Sequence, residues 1–515
     1  MAASALILVL LFSAGCEDPL DSEDPGKFTW VAESLDGHKN NLPENAVPLE
    51  VKLESENDLM DLLAVISYKA VYVALDISKS TFAEVTTFDP GTFRTGKRYI
   101  VRLILPDKST GIVGGIRDKS VFSYFSYLRE ISGKNIKTLG SYLFGGTALE
   151  KIDFPVLTFI DSYTFYNCRY LDGLTIPESM NRIREGAFEN SGLTKITIPD
   201  SITSIGNNAF SGCFKLDGIK IPNSVTSIGD SVFSGCSGLA SITIPDSVKS
   251  IGKEAFASCS VLTSVIIPAG VTSLEEGVFK SSGLARITIH GNVTSIGDNA
   301  FSGCSKLDSI EIPNSVTSIG DSAFSGCGGL ASVVIPDSVT SIGDSVFANC
   351  SGLESIKIPD SIISIGDSAF ENCTGLTAIT IPDNVKSIGK SAFRNCTWLA
   401  DVNIPAGISA VEDFTFQGCA FDSVDIPDTV TSIGMGAFRG SRLNSVTIPN
   451  GVKSIGDYAF YGCRNLVTVV FNAAIGEDDF SSNSFFSDLY DKYLTGGPGT
   501  YTTDNPGNNA VWNKQ

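Results

Sequence analysis

A block of about 23 residues recurs along most of this chain, and residues 236–258 (CSGLASITIPDSVKSIGKEAFAS) show one copy almost intact. Its phenylalanine falls at Phe144, Phe165, Phe188, Phe210, Phe233, Phe256, Phe279, Phe301, Phe324, Phe347, Phe370, Phe393, Phe416, Phe438 and Phe460. Successive members stand 21 to 23 residues apart. A unit that short cannot enclose a core of its own, so copies must stack and share one. A chain of 515 residues would otherwise suggest several globular domains. A stack of rungs replaces that expectation, and function becomes a question about a surface rather than a pocket.

One rung can be parsed by period from residues 239–259, LASITIPDSVKSIGKEAFASC. Leu239, Ile242, Ile244, Val248, Ile251, Ala255, Phe256 and Cys259 form the recurring apolar set. Ile242 and Ile244 alternate with Thr243, the mark of a strand with one buried face. Pro245 has no N–H and ends the ladder, and Pro-Asp suits a turn. Val248 to Ile251 reads as a second short extended segment, closed by Gly252. KEAFASC is long enough for one helical or 3-10 turn that presents Ala255 and Phe256 inward. Stacking such rungs at about 4.8 Å makes parallel sheets, and fifteen rungs give roughly 70 Å along the sheet face. The fold class is therefore a mainly β solenoid whose end rungs need caps.

The recurring L-x-x-I-x-I-P, V-T-S-I-G and A-F-x-x-C closely resemble the leucine-rich repeats of the BspA-like, or treponemal, class. The resemblance covers roughly residues 121–471, and many copies agree at about ten positions. It implies a curved leucine-rich-repeat solenoid displayed by an exported microbial protein, with attachment to host matrix proteins or other cells as the role.

The formal charge of −20 argues against nucleic acid, whose phosphates need Lys and Arg to displace counterions. It equally disfavours electrostatic docking on anionic lipid. Residues 1–15, MAASALILVLLFSAG, carry an apolar run from Ala5 to Phe12 that is too short to span a bilayer but fits an export signal. Ser13-Ala14-Gly15-Cys16 and the acidic tether at 16–27 resemble a bacterial lipoprotein signal, which implies lipidation at Cys16. The position three before that cysteine is Ser13 rather than an aliphatic residue, and no Lys or Arg precedes the apolar run. Cleavage as an ordinary secretory signal is the alternative. Membrane association is expected only through that N-terminal lipid.

Residues 28–120 do not keep the period. Leu59, Leu62, Leu63 and Ile66 predict a helix, AVYVALDIS a strand, and GTFRTGKRYIVRLILP a degenerate rung with Phe93 in the place of the repeat Phe and Leu105-Pro106 closing the strand. This region reads as a cap, with a separate binding domain as the alternative. Residues 121–471 are the repeats. Residues 472–515 read as a C-terminal cap with a loose end, in which Tyr501 and Trp512 are the candidates for a recognition motif.

Eleven of the twelve cysteines lie three residues after a repeat Phe, at Cys168, Cys213, Cys236, Cys259, Cys304, Cys327, Cys350, Cys373, Cys396, Cys419 and Cys463. One ligand per rung spreads along a line, whereas zinc needs four converging on a point. Rung spacing is compatible with bridges, yet Cys168 and Cys463 have no neighbouring cysteine and at least three thiols must stay free. Buried thiols acting as small hydrophobes are the expectation. Three copies, ending at Leu193, Leu284 and Leu443, lack the cysteine and are one residue shorter.

Asp230, Asp298, Asp321, Asp344, Asp367 and Asp457 also line up across rungs, but Lys253, Lys390, Asn207 and Met435 hold the same position elsewhere. A calcium edge would not tolerate those exchanges, so solvated turn residues are expected. Only two histidines exist, His38 and His290, and His290 replaces the strand-ending Pro of its copy. No nucleophile, phosphate-loop, dinucleotide or metalloprotease motif is present. Neither catalysis nor a cofactor or metal is expected.

The remaining candidate is the outward row of the main strand: Thr197, Lys220, Thr243, Ile266, Thr288, Glu311, Val334, Lys357, Thr380, Asn403, Asp425 and Thr447, with Lys195, Arg286 and Asp401 in a second row. If this sheet lines a concave face, it offers a monomeric platform for an extended or repetitive protein, such as a host matrix or bacterial surface protein. The first row contains no aromatic residue, which disfavours sugar and favours protein. Short polar side chains on an exposed strand need no ligand, so a structural envelope spacer or periplasmic scaffold is the alternative.

Overall fold

Each rung contributes two short parallel strands and a turn segment, and inward side chains repeat from copy to copy. A computed structural model describes residues 28–38, 40–54, 56–80, 97–112, 114–115, 120–472, 474–507 and 510–515. The chain divides into two units, Met1–Ser247 and Val248–Gln515. The export signal, the tether with Cys16, and Phe93 lie outside the described residues.

In the first unit, Lys195–Thr197 pairs in parallel with Gly173–Thr175, and Gly218–Lys220 with Ser241–Thr243. The second strands Arg182–Ile183, Ser204–Ile205 and Ser227–Ile228 stack in the same way. Within each main strand the central Ile196, Ile219 or Ile242 is buried and its two neighbours face out. The following Pro opens a turn in which Pro222 O accepts the N–H of Val225. The serine inside that turn is structural: Ser224 Oγ donates to Ile202 O of the preceding rung at 2.6 Å.

The second unit repeats these elements. Ser264–Ile266 pairs with Arg286–Thr288, Ser332–Val334 with Ser355–Lys357, and Ala378–Ile379 with Asp401–Val402. The glycine of V-T-S-I-G permits close approach between rungs. A Cβ on Gly320 would stand 2.5 Å from Asp298 N and 2.3 Å from Asp298 Oδ1.

The segment carrying the Phe keeps the three-residue turn bonds of the expected 3-10 turn and adds bonds to the next rung. In the first unit Asn208, Phe210 and Gly212 donate their N–H groups to Asp230, Val232 and Ser234 of the next rung, at 2.8, 3.0 and 2.7 Å. Ala209 and Ser211 instead bond back to Gly206 and Asn208 in their own rung. A helix would direct its amides four residues back. Here alternate amides cross to the next rung, so this segment is a third inter-rung ladder. Its geometry requires two left-handed residues per copy, Asn208 at φ 55 and Gly212 at φ 69. In the second unit the same pair is Ser322 at φ 56 and Gly326 at φ 74. Gly and Asn tolerate that region best, which accounts for the recurring S-G-C and N-C endings.

The phenylalanines stack face to face. In the first unit the rings run from Phe122 through Phe144, Phe165, Phe188 and Phe210 to Phe233, with centroids 5.0 to 5.7 Å apart. In the second, Phe301–Phe324 and Phe324–Phe347 stand at 5.3 and 5.5 Å, and Phe460 stacks on Phe485 at 4.7 Å. Each offset pair adds about 0.5–1.5 kcal/mol to the burial of its rings.

The N-terminal residues join the rung sheet. Val47–Glu50, Val73–Asp76, Ile100–Ile104, Glu130–Ser132 and Lys151–Asp153 form one parallel sheet in that order. Leu49, Leu75, Leu103 and Ile131 fall opposite one another in its register. The expected helix spans Glu56–Lys69 and buries Leu62, Leu63 and Ile66. At the other end, Thr468–Phe471 pairs in parallel with Ser445–Ile448 and antiparallel with Gly499–Thr502, which pairs with Asn513–Lys514. Tyr501 and Trp512 are fully buried there, so neither is presented as a recognition motif.

Candidate binding surface

The outward row arises because a parallel strand with one face on the core must turn alternate side chains to solvent. Thr197, Lys220 and Thr243 on the first unit are all exposed, as is Lys195 in the neighbouring row. On the second unit Thr288, Glu311, Lys357, Thr380, Asn403, Asp425 and Thr447 are exposed, together with Arg286 and Asp401. Ile266 and Val334 occupy the same row at 70% and 68% exposure, which marks the row as solvent-facing whatever the residue type.

Two of these side chains are engaged with the protein itself. Asn403 brackets Ile381 of the preceding rung, accepting its N–H at 2.8 Å and donating to its carbonyl at 2.7 Å. Arg286 lies 3.9 Å from Asp308, and both are largely exposed, so that pair adds little. On the first unit a groove of about 1280 Å³ runs along the strand face, and Lys151, Lys195, Thr197 and Lys220 are among its lining residues.

The aligned acids have a structural task. Asp298, Asp321, Asp344 and Asp367 each accept, through Oδ1, the backbone N–H of the equivalent residue in the next rung, at 2.7 to 2.9 Å. Asn207 does the same for Asp230, which explains why carboxylate and carboxamide exchange at this position. Asp321, Asp344 and Asp367 line a hollow of about 590 Å³, but among the described residues no group of three or more His, Cys, Asp or Glu is placed to hold a metal ion.

All eleven ladder cysteines are buried thiols outside any disulfide. Cys213 Sγ donates to Phe188 O of the preceding rung at 3.1 Å, and Cys350 Sγ to Phe324 O at 3.2 Å. Burial pushes both thiols up to about 12, so they remain protonated. The copies without cysteine keep a donor in that column: Ser191 lies 3.3 Å from Cys213 Sγ, Ser282 3.3 Å from Cys304 Sγ and Ser441 3.2 Å from Cys463 Sγ. The sequence clue to this was a serine in each shortened copy. His290 is exposed, and its carbonyl accepts the Val293 N–H in the turn where other copies have Pro.

The family model for the BspA type leucine rich repeat region (6 copies) matches residues 86–217, 181–308, 294–421 and 409–491. No curated protein matches the chain. Among solved structures, a leucine rich cell surface protein from Faecalibacterium prausnitzii is 31% identical, over 60% of this chain and 89% of that one, with a TM-score of 0.43. A leucine-rich repeat protein from Bacteroides ovatus is 24% identical, over 72% of this chain and 91% of that one, with a TM-score of 0.49. The T. pallidum leucine rich repeat protein is 28% identical, over 40% and 77%, with a TM-score of 0.27. With its matched residues running from 86 to 491 and its rungs built on the same repeating positions, this chain belongs to the BspA-type leucine-rich repeat family.

Proposed function

We propose that this chain is a non-catalytic binding protein of the bacterial cell envelope that holds an extended or repetitive protein along its strand face. The observation that carries this is a contrast within each rung. Inward positions repeat almost unchanged, whereas outward positions read Thr197, Lys220, Thr243, Thr288, Glu311 and Lys357. Packing explains the first set and leaves the second free to specify a partner. Many weak contacts along such a row would add up to avidity. The partner we favour is a host matrix protein or a protein on another cell, reached from a lipid anchor at Cys16. Reading residues 28–120 as a cap is supported by the pairing of their strands into the rung sheet. A non-catalytic role is supported by the burial of every ladder thiol and by the engagement of the aligned aspartates in inter-rung bonds.

The test offers the chain from residue 28 onward to immobilised host matrix proteins and to washed bacterial cells. Retention should fall about tenfold when Lys220→Glu, Glu311→Lys and Lys357→Glu are combined. Undiminished retention would move the site off this face. The serines at Ser241, Ser264, Ser332 and Ser355 favour a second reading, a structural spacer, and that reading predicts no retention on either support.

A further inference from the structure

We infer that the groove on the strand face of the first unit takes an extended acidic segment of a protein partner, its carboxylates seated on Lys151, Lys195 and Lys220. This deepens the strand-face reading and rests on it. Along one outward row the residues run Lys151, Gly173, Lys195, Gly218, with Gly173 directly opposite Lys195 in the sheet register. Neither glycine has a positive φ, and a Cβ on either would meet nothing within 4 Å. The fold therefore does not require glycine at these points, and later copies carry Ser241 and Ser264 there. Glycine in a strand weakens it relative to alanine and often marks a close approach by another backbone. Two bare positions alternating with lysines leave notches in which a second main chain fits.

The charge pattern points the same way. Lys137, Lys151, Lys195 and Lys220 all line the groove and are exposed, in a chain of net charge −20. None of the four is in an ion pair among the described residues. Two arginines of the unit, by contrast, are paired across rungs, Arg129 with Glu150 at 3.5 Å and Arg184 with Asp161 at 3.6 Å. Asp153, Glu178 and Asp217 also line the groove, but none of them interrupts the lysine–glycine row. Lys151 and Lys195 are two rungs apart, about 10 Å at the spacing of parallel strands. An extended chain in the polyproline II form brings residues three apart onto one side at about 9 Å. A segment with an acidic residue at every third position would thus meet both lysines at once.

The probe is a fluorescein-labelled twelve-residue peptide with Glu at every third position, compared with its Gln and Lys counterparts against the full chain by fluorescence anisotropy. The Glu peptide should bind at least about tenfold more tightly than the Gln peptide and weaken as salt rises. Lys151→Glu with Lys195→Glu should abolish binding, as should Gly173→Gln with Gly218→Gln, which fills the notches without changing charge. Gly173→Ser, the residue found in later copies, should retain both binding and the unfolding midpoint, showing that the notch variants act on the surface. Equal binding of Glu and Gln peptides, or binding that survives the double Lys→Glu change, overturns the proposal. If that happens while retention on matrix or cells still depends on Glu311 and Lys357, only the groove assignment falls. If retention is also independent of those residues, the strand-face reading falls with it.

Discussion

Asp321 Oδ1 accepts the backbone N–H of Asp344, one rung further along, at 2.8 Å. The bond recurs from Asp344 to Asp367 and from Asp367 to Lys390, so a row of exposed acids is a clamp between rungs. Asp344→Ala removes an acceptor from the Asp367 amide and should lower unfolding stability by about 1 kcal/mol. Asp344→Asn keeps an oxygen in place and should cost much less. Denaturant midpoints of the two variants decide between a clamp and a merely solvated turn.

The phenylalanine stack gives the largest expected single-site effect. Phe324 lies between Phe301 and Phe347 with no exposure, so Phe324→Ala should cost about 3–5 kcal/mol. Phe324→Leu should cost less. The loss should appear first as faster amide exchange in the rungs on either side, measured by hydrogen–deuterium exchange, because each rung contacts only its neighbours.

Left-handed backbone sets a third prediction. Ser345 sits at φ 55, where a Cβ is strained. Ser345→Gly should therefore be neutral to stabilising, by up to about 1 kcal/mol, and Ser345→Val clearly destabilising. Thermal unfolding of the pair reads the sign directly.

The buried thiols predict a loss of stability in alkali. Burial raises Cys213 and Cys350 from the ordinary 9.0 to about 12. Above pH 9 the unfolded chain releases these protons while the folded chain keeps them, so the folded state binds more protons and stability falls as pH rises. The stabilisation is complete below about pH 9 and is lost progressively toward about pH 12. Urea midpoints measured across that window should decline, and Cys213→Ser with Cys350→Ser should flatten the decline. In the folded protein the same thiols should resist alkylation at neutral pH.

Periodicity exposed the stack, the inward set and the outward row because each depends on which side chains face the core. Ile242 and Thr243 alternate in the sequence as they do in the strand. What escaped were features that depend on backbone conformation or on polar geometry. A-F-x-x-C has a spacing compatible with a helical turn, and only the left-handed Asn208 and Gly212 send alternate amides to the next rung. Phe122, 22 residues before Phe144, continues the period, whereas Phe485 joins the stack 25 residues after Phe460, from a segment that does not keep it. Gly173 and Gly218 leave no mark on the period, because their meaning lies in the side chains the outward row lacks.

The most direct test of the account is retention on matrix proteins and washed cells, comparing the strand-face variant Lys220→Glu/Glu311→Lys/Lys357→Glu with a turn-face variant, Lys280→Glu/Arg439→Glu. Lys280 and Arg439 are exposed one residue past Phe279 and Phe438. Strand-face binding predicts about a tenfold loss in the first variant and no change in the second. Full retention by the first with loss in the second would contradict it.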